Sequence, residues 1–323
     1  MRSPRHAYLI LAHTNFNQLI KLLGILDHPL NDIYVHIDIH SSDFDQTALL
    51  ASVKDSSLSV SSSYHLAWGS ETMIDGMLYL LKAASQTEHL YYHLISGMDL
   101  PLQPQSEIHA FFQARAGAEF IDFQGESISA LLLADRIQTY HFLQAARERY
   151  PIFRAIDQKL LRLQTLLRVN RLKHCGVVFQ KGSQWFSITH DFALYCLSNA
   201  PAYRPYFRFS KCGDELFFQT LLQNSPFLSN RAVQTYNDNR ATMRLIDWDR
   251  GNGSSPYVFR AADYDEITQS GMLFARKFDE TVDAKIIERI AAYVFAQSSC
   301  GQAAHEPNSG ASPVPASGGS TYD

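Results

Sequence analysis

Short apolar runs alternate with amphipathic stretches through the first third of the chain, and that alternation leaves few folds open. Ala7–Ala12 and Ile33–Ile37 are rich in β-formers, and Asn15–Leu26 between them repeats Phe16, Leu19, Ile20, Leu23 and Leu26 at helical spacing. Ser70 and Glu71 open a second helix whose apolar face is Met73, Ile74, Met77, Leu78 and Leu81. Tyr91–Ile95 reads as a buried strand leading into the loop 96–101, followed by a helix over Gln105–Ala114 and a strand over Glu119–Phe123. This order predicts an α/β protein: a mostly parallel, Rossmann-like sheet flanked by helices, with ligands at the carboxyl ends of its strands. The alternation returns after Val177. A strand is expected over Gln184–Ile188, helices over Asp191–Leu197 and from Asp214 through Leu222, a strand over Met243–Trp248, and an amphipathic helix over Val282–Ala296.

No Pro/Gly/Ser-rich linker divides the chain, so a single domain over residues 1–296 is the simplest organisation. Residues 297–323 are Gly, Ser, Ala and Pro with almost no large apolar side chain, and a disordered tail is predicted there. A net charge of −4 gives no global attraction to nucleic acid. The cysteines, Cys175, Cys196, Cys212 and Cys300, lack metal-ligand spacing and read as free thiols. The run Ala7–Ala12 is too short for a signal-peptide core or a membrane span, which points to the cytoplasm.

Residues 127–174 form a helical, Arg-rich insert. Arg136, Arg147, Arg149, Arg154, Arg162, Arg168 and Arg171 are interleaved there with Leu, Ile and Phe. Two readings stay open: solvated helix faces over a leucine core, or a basic amphipathic surface for anionic lipid or an acidic glycan. The second would set the protein peripherally on the inner face of a membrane, near lipid-linked acceptors.

Three blocks carry chemistry. Gly213 and Asp214 make a helix start that puts Glu215 in the first turn, where unpaired amides stabilise a carboxylate. Such a group can take a proton from an attacking hydroxyl, or the acidic pair can simply cap the helix. Arg260 follows the Gly/Ser loop 250–256, and Lys277 lies in Gly271–Asp279. Cations after flexible loops suit a diphosphate, though such residues are also ordinary surface charges. Metal signals are weak. His36, Asp38 and His40 alternate, and Asp-X-Asp occurs at 43–45, 247–249 and 263–265, but none follows the strand Tyr91–Ile95, where Asp99 stands alone. No metal is expected. The phosphate-binding glycine motifs of ATPases and dehydrogenases are absent.

Several stretches in order add specificity: HAYLILAH (6–13), IYVHIDIHSS (33–42), WGSETMIDGMLYLLKAA (68–84), YYHLISGMDLPLQP (91–104), KGSQWFSITHDF (181–192), GDELFFQTLLQNSPF (213–227), MRLIDW (243–248) and LFARKFD (273–279). Together they resemble the core-2/I-branching β-1,6-N-acetylglucosaminyltransferase family, which includes the peptide O-xylosyltransferases (glycosyltransferase family 14), in a bacterial-type form. The resemblance implies a GT-A-like fold and inverting transfer, without metal or other cofactor, from a UDP-sugar to a hydroxyl of a glycan or glycoconjugate. Glu215 would be the base, Arg260 and Lys277 would hold the diphosphate, Asp38 would lie near the uridine, and Asp99 would lie on the donor side. Asp214 and Trp248 would line the acceptor side of the cleft. GlcNAc is the favoured sugar. UDP-xylose is the alternative, since KGSQW and IDW look closer to the xylosyltransferase branch, and a catalytically inactive nucleotide-sugar- or glycan-binding module is the reading of another class.

Overall fold

The computed structural model describes residues 4–125, 129–253 and 255–303. Ser127 and Ile128 of the insert, Ser254 of the Gly/Ser loop and residues 304–323 of the expected tail lie outside the described residues. In chain order the strands are β1 (His6–Ala12), β2 (Asn31–Ile37), β3 (Ser57–Ser61), β4 (Tyr91–Ser96), β5 (Asp99–Pro101), β6 (Phe120–Ile121), β7 (Phe186–Thr189), β8 (Arg244–Ile246) and β9 (Phe274–Arg276). The helices are α1 (Phe16–Leu26), α2 (Gln46–Ala51), α3 (Thr72–Ala84), α4 (Gln105–Gln113), α5 (Ala130–Leu133), α6 (Gln144–Arg149), α7 (Pro151–Leu166), α8 (His190–Phe207), α9 (Phe217–Gln223), α10 (Tyr264–Thr268) and α11 (Glu280–Ala303).

A six-stranded sheet runs β3-β2-β1-β4-β7-β6, and a three-stranded sheet runs β5-β9-β8. The pairs β1–β2, β1–β4 and β2–β3 are parallel, whereas β7 is antiparallel to both β4 and β6. The parallel strands are therefore expected to end at one edge, and the antiparallel strand begins there, so Lys181–Trp185 joins the loops after β1, β2 and β4.

β1 is buried on both faces, which is why it reads as a continuous apolar run. Tyr8, Ile10 and Ala12 enter a core shared with α1 and α11, and Ala7, Leu9 and Leu11 enter one shared with α3, α8 and α9. The two sheets are stitched by Arg244 of β8, whose guanidinium is buried. It donates to the carbonyls of Thr242, Leu94 and Phe186 and to Ser187 Oγ.

The expected elements form, with shifts at their ends. α8 continues to Phe207 despite Pro201 and Pro205. α11 runs on to Ala303, so residues 297–303 are helical and not part of a disordered tail. Its side chains Ile286, Ile287, Ile290 and Val294 pack on the core and anchor the helix that these residues extend. The insert holds α5, a π-helical turn at Ala134–Gln138, α6 and α7. Among the described residues, no helix is long and apolar enough to cross a membrane, and Cys175, Cys196 and Cys212 are free thiols.

Candidate active site

A cleft of about 1890 Å³ opens along the edge where the strand ends meet. That is larger than the few hundred to ~1,000 Å³ typical of a single small-ligand pocket. Its wall includes His13, His40, His65, Arg136, Lys181, Trp185, Asp214, Glu215, Trp248, Arg250, Arg276 and Lys277.

The backbone holding Glu215 is fixed from two sides. Cys212 adopts a left-handed conformation with φ 49° and donates its N–H to Gly69 O at 2.6 Å, which starts the 3-10 turn Gly213–Glu215. The Glu215 carbonyl accepts from Gly182 N–H at 2.9 Å. A Cβ on Gly182 would collide with the Asp122 carbonyl, so only glycine lets the KGSQW segment lie this close. Neither acid caps a helix: the N-cap positions are Cys212 and Leu216, and neither makes a side-chain capping bond.

Glu215 Oε2 lies 3.5 Å from an Arg136 nitrogen and 3.5 Å from Lys181 Nζ, and it accepts no hydrogen bond. Glu215 itself lines the cleft, and a carboxylate there can take a proton from an attacking hydroxyl. Asp214, next to it, is buried with Oδ1 unbonded. Burial, and then the Glu215 charge, push its carboxyl up to about 7.

Cationic groups line the rest of the cleft. Lys277 is half-buried with Nζ 3.4 Å from Ser255 Oγ, and burial followed by the neighbouring Arg276 charge lowers its pKa. The Arg276 guanidinium stacks over Trp185 at 4.2 Å and bonds Asp99 at 3.3 and 3.4 Å. Arg250 also lines the cleft, but Asp247, Asp263 and Glu266 all bond it. Trp248 stands in the wall, 45% exposed.

Three of the expected site residues lie off the cleft surface. Arg260 is exposed and forms no part of the cleft wall. It opens the turn Ala261–Asp263, with its N–H on Asp263 Oδ2 at 2.7 Å. Asp99 is buried beneath the wall. It accepts from Ser96 N–H and Ser96 Oγ and positions Arg276. Asp38 is also buried: the amides of His40 and Leu66 and the His65 ring bind it, and His40 and His65 line the cleft in its place. Burial raises the Asp38 pKa, but those amides and the His65 ring outweigh it and hold the group below the usual range.

The Asp-X-Asp pairs serve local structure. Asp45 caps α2, Asp247 binds Arg250, and Asp263 joins Arg250 to the Arg260 amide. One set among the described residues could hold an ion: Asp38, His40 and His65, with the two Nδ1 atoms 3.0 Å apart. His36 is not in it. Its Nε2 accepts from the amides of Ser63 and Tyr64.

Among the cleft cations, Lys181 and Arg276 were not singled out from sequence, though they sit inside the KGSQW and LFARKFD stretches and could have been found there; Arg136 was read only as one arginine of the basic insert, with nothing to point it at Glu215.

The chain is similar to several known proteins. Xylosyltransferase 2 of Rattus norvegicus is 24% identical over 304 residues, covering 88% of this chain and 33% of that protein. Xylosyltransferase 1 of the same organism is 22% identical over 313 residues, covering 90% and 35%. The chain thus spans about a third of the length of the curated relatives it matches. Among solved structures, mouse xyloside xylosyltransferase 1 in its apo form aligns over 84% of this chain and 96% of that one, at 12% identity and a TM-score of 0.36. S. aureus TarS 1-349 in complex with UDP aligns over 39% and 37%, at 11% identity and a TM-score of 0.27. Residues 6–270 match the sequence profile described as Core-2/I-Branching enzyme. With that match over most of its length, the chain belongs to the Core-2/I-Branching enzyme family of glycosyltransferases.

Proposed function

We propose that this chain is a metal-independent, inverting glycosyltransferase that moves a sugar from a UDP-sugar to a hydroxyl of a glycan or glycoconjugate. The observation that carries this reading is Glu215, a carboxylate paired with Arg136 and Lys181 in the wall of the same cleft as Lys277 and Arg276. The acceptor oxygen attacks the anomeric carbon as the bond from that carbon to the diphosphate oxygen breaks. Glu215 takes the acceptor proton, and the bonding electrons leave with UDP. Lys277 and Arg276 offset the charge that grows on the diphosphate, the task a magnesium ion performs in other enzymes. A single displacement turns an α-linked donor into a β-linked product.

Two donors fit. GlcNAc follows from the branching-enzyme family. Xylose is favoured by the relatives named xylosyltransferase and by the KGSQW and IDW stretches. UDP release from a panel of UDP-sugars, with EDTA present and Glu215→Gln as control, tests the reading. Turnover of UDP-GlcNAc or UDP-xylose that survives EDTA and depends on Glu215 supports it. Turnover abolished by EDTA would shift attention to Asp38, His40 and His65. UDP binding without turnover, even with glycan acceptors supplied, would favour the binding-module reading.

A further inference from the structure

α7 carries two apolar faces, and the protein covers only one of them. Phe153, Leu160 and Leu161 turn toward the body with buried Asp157, which pairs with Arg147 at 3.1 Å. On the other side Ile152 is 66% exposed, Leu163 50% and Leu166 79%, with Ile156 between them. At 100° per residue these four fall within one narrow stripe.

The charges beside that stripe have one sign. Between Ile152 and Arg168, Lys159 falls within the stripe and Arg162 at its margin, both exposed, whereas Arg154 projects from another side of the helix and bonds the Arg147 carbonyl; the chain as a whole carries a net −4. The one acid in this stretch, Asp157, is the buried partner of Arg147. An exposed apolar stripe flanked only by basic side chains is the pattern of a helix lying in the headgroup region of an anionic bilayer. The position also matters. Tyr150, the residue before α7, and Ala145 and Ala146 of α6 line the cleft.

We infer that α7 docks this protein peripherally on an anionic lipid surface, burying the Ile152–Ile156–Leu163–Leu166 stripe and placing the mouth of the cleft beside the membrane. The inference deepens the transferase reading by saying where the acceptor is met, and its test does not depend on catalysis.

Cosedimentation of the full chain with vesicles tests it, comparing phosphatidylcholine alone with phosphatidylcholine mixed with phosphatidylglycerol. Binding is expected only to the mixed vesicles, weakening as salt is raised. L163Q/L166Q and K159E/R162E should each reduce it by about tenfold or more, while UDP binding to the cleft stays unchanged in both. These four side chains are exposed, and unaltered thermal melting will confirm that the variants fold. No binding to the anionic vesicles, or binding that both variants leave intact, overturns the inference. So does a dimer in solution that L163Q/L166Q converts to monomer, because the stripe then belongs to a second copy. Loss of UDP binding in the unmodified protein would sink the transferase reading and leave the vesicle result standing.

Discussion

Arg136 and Glu215 meet in space from two distant parts of the chain. The guanidinium lies 3.5 Å from the carboxylate and comes from the middle of the π-helical turn of the insert. With Lys181 at the same distance, the carboxylate is held by charge while its Oε2 accepts no hydrogen bond. General-base assistance is typically worth ~10²–10⁴ in rate. Glu215→Gln should therefore bind UDP as the unaltered protein does and lose turnover on about that scale. Near-normal turnover in this variant would remove Glu215 from the mechanism.

The cations separate by position. Lys277 stands in the cleft wall and Arg260 does not. Charge-assisted hydrogen bonds are worth ~1.5–3 kcal/mol, so Lys277→Met should weaken UDP binding by about tenfold to hundredfold. Arg260→Met should change it by less than about threefold, the scale of a surface substitution. Titration calorimetry with UDP separates the two. Equal losses would restore Arg260 as a diphosphate ligand.

Asp214 makes stability depend on pH. Its carboxyl titrates near 3.8 in the unfolded chain and at about 7 when buried. Between those values the folded chain keeps a proton that the unfolded chain has given up, so stability falls as pH rises through this window and then levels off. Asp214→Asn removes this dependence. The melting temperature of the variant, relative to the unaltered protein, should be higher at pH 8 than at pH 5. A difference independent of pH would show that Asp214 is not protonated when folded.

The buried histidines act in the other direction. His6 Nδ1 and His93 Nε2 are 2.9 Å apart, and His109 Nε2 reaches Asn31 Oδ1 at 2.7 Å. Burial, and then the neighbouring positive charges, lower all three, His109 to about 4. The unfolded chain takes up protons below about 6.5 that the folded chain refuses, so stability is lost as pH falls from there toward 4. Urea midpoints measured from pH 7 to 4 should fall, and His109→Gln, which can still donate to Asn31, should fall less steeply. An equal slope in both proteins would clear this cluster.

The sequence was most legible where burial is symmetrical. β1, β2 and β4 announce themselves because both faces of each strand are covered. β3 hides because Ser57, Ser59 and Ser61 alternate with Leu58 and Val60 at the edge of the sheet. β5 and β9 are three residues each and exist through pairing with one another, which no local pattern records. The position of Glu215 was legible through its turn. The donor side was less so: Asp38 and Asp99 stand at the expected strand ends, but both turn inward to hold the histidines and the arginine that face the cleft. A position in sequence locates a strand end and does not say which way the side chain turns.

Arg244 sets how the cleft can move. It belongs to the three-stranded sheet and its guanidinium bonds the Leu94 and Phe186 carbonyls of the six-stranded one, so pulling the sheets apart would strand a cation and its acceptors in an apolar seam, at a cost of several kcal/mol. The floor of the cleft therefore behaves as a rigid casting. Adjustment to an incoming donor falls to the surface loops around it, above all the Gly/Ser segment that carries Ser255 to Lys277, and the rate of substrate entry and product exit becomes a property of that rim.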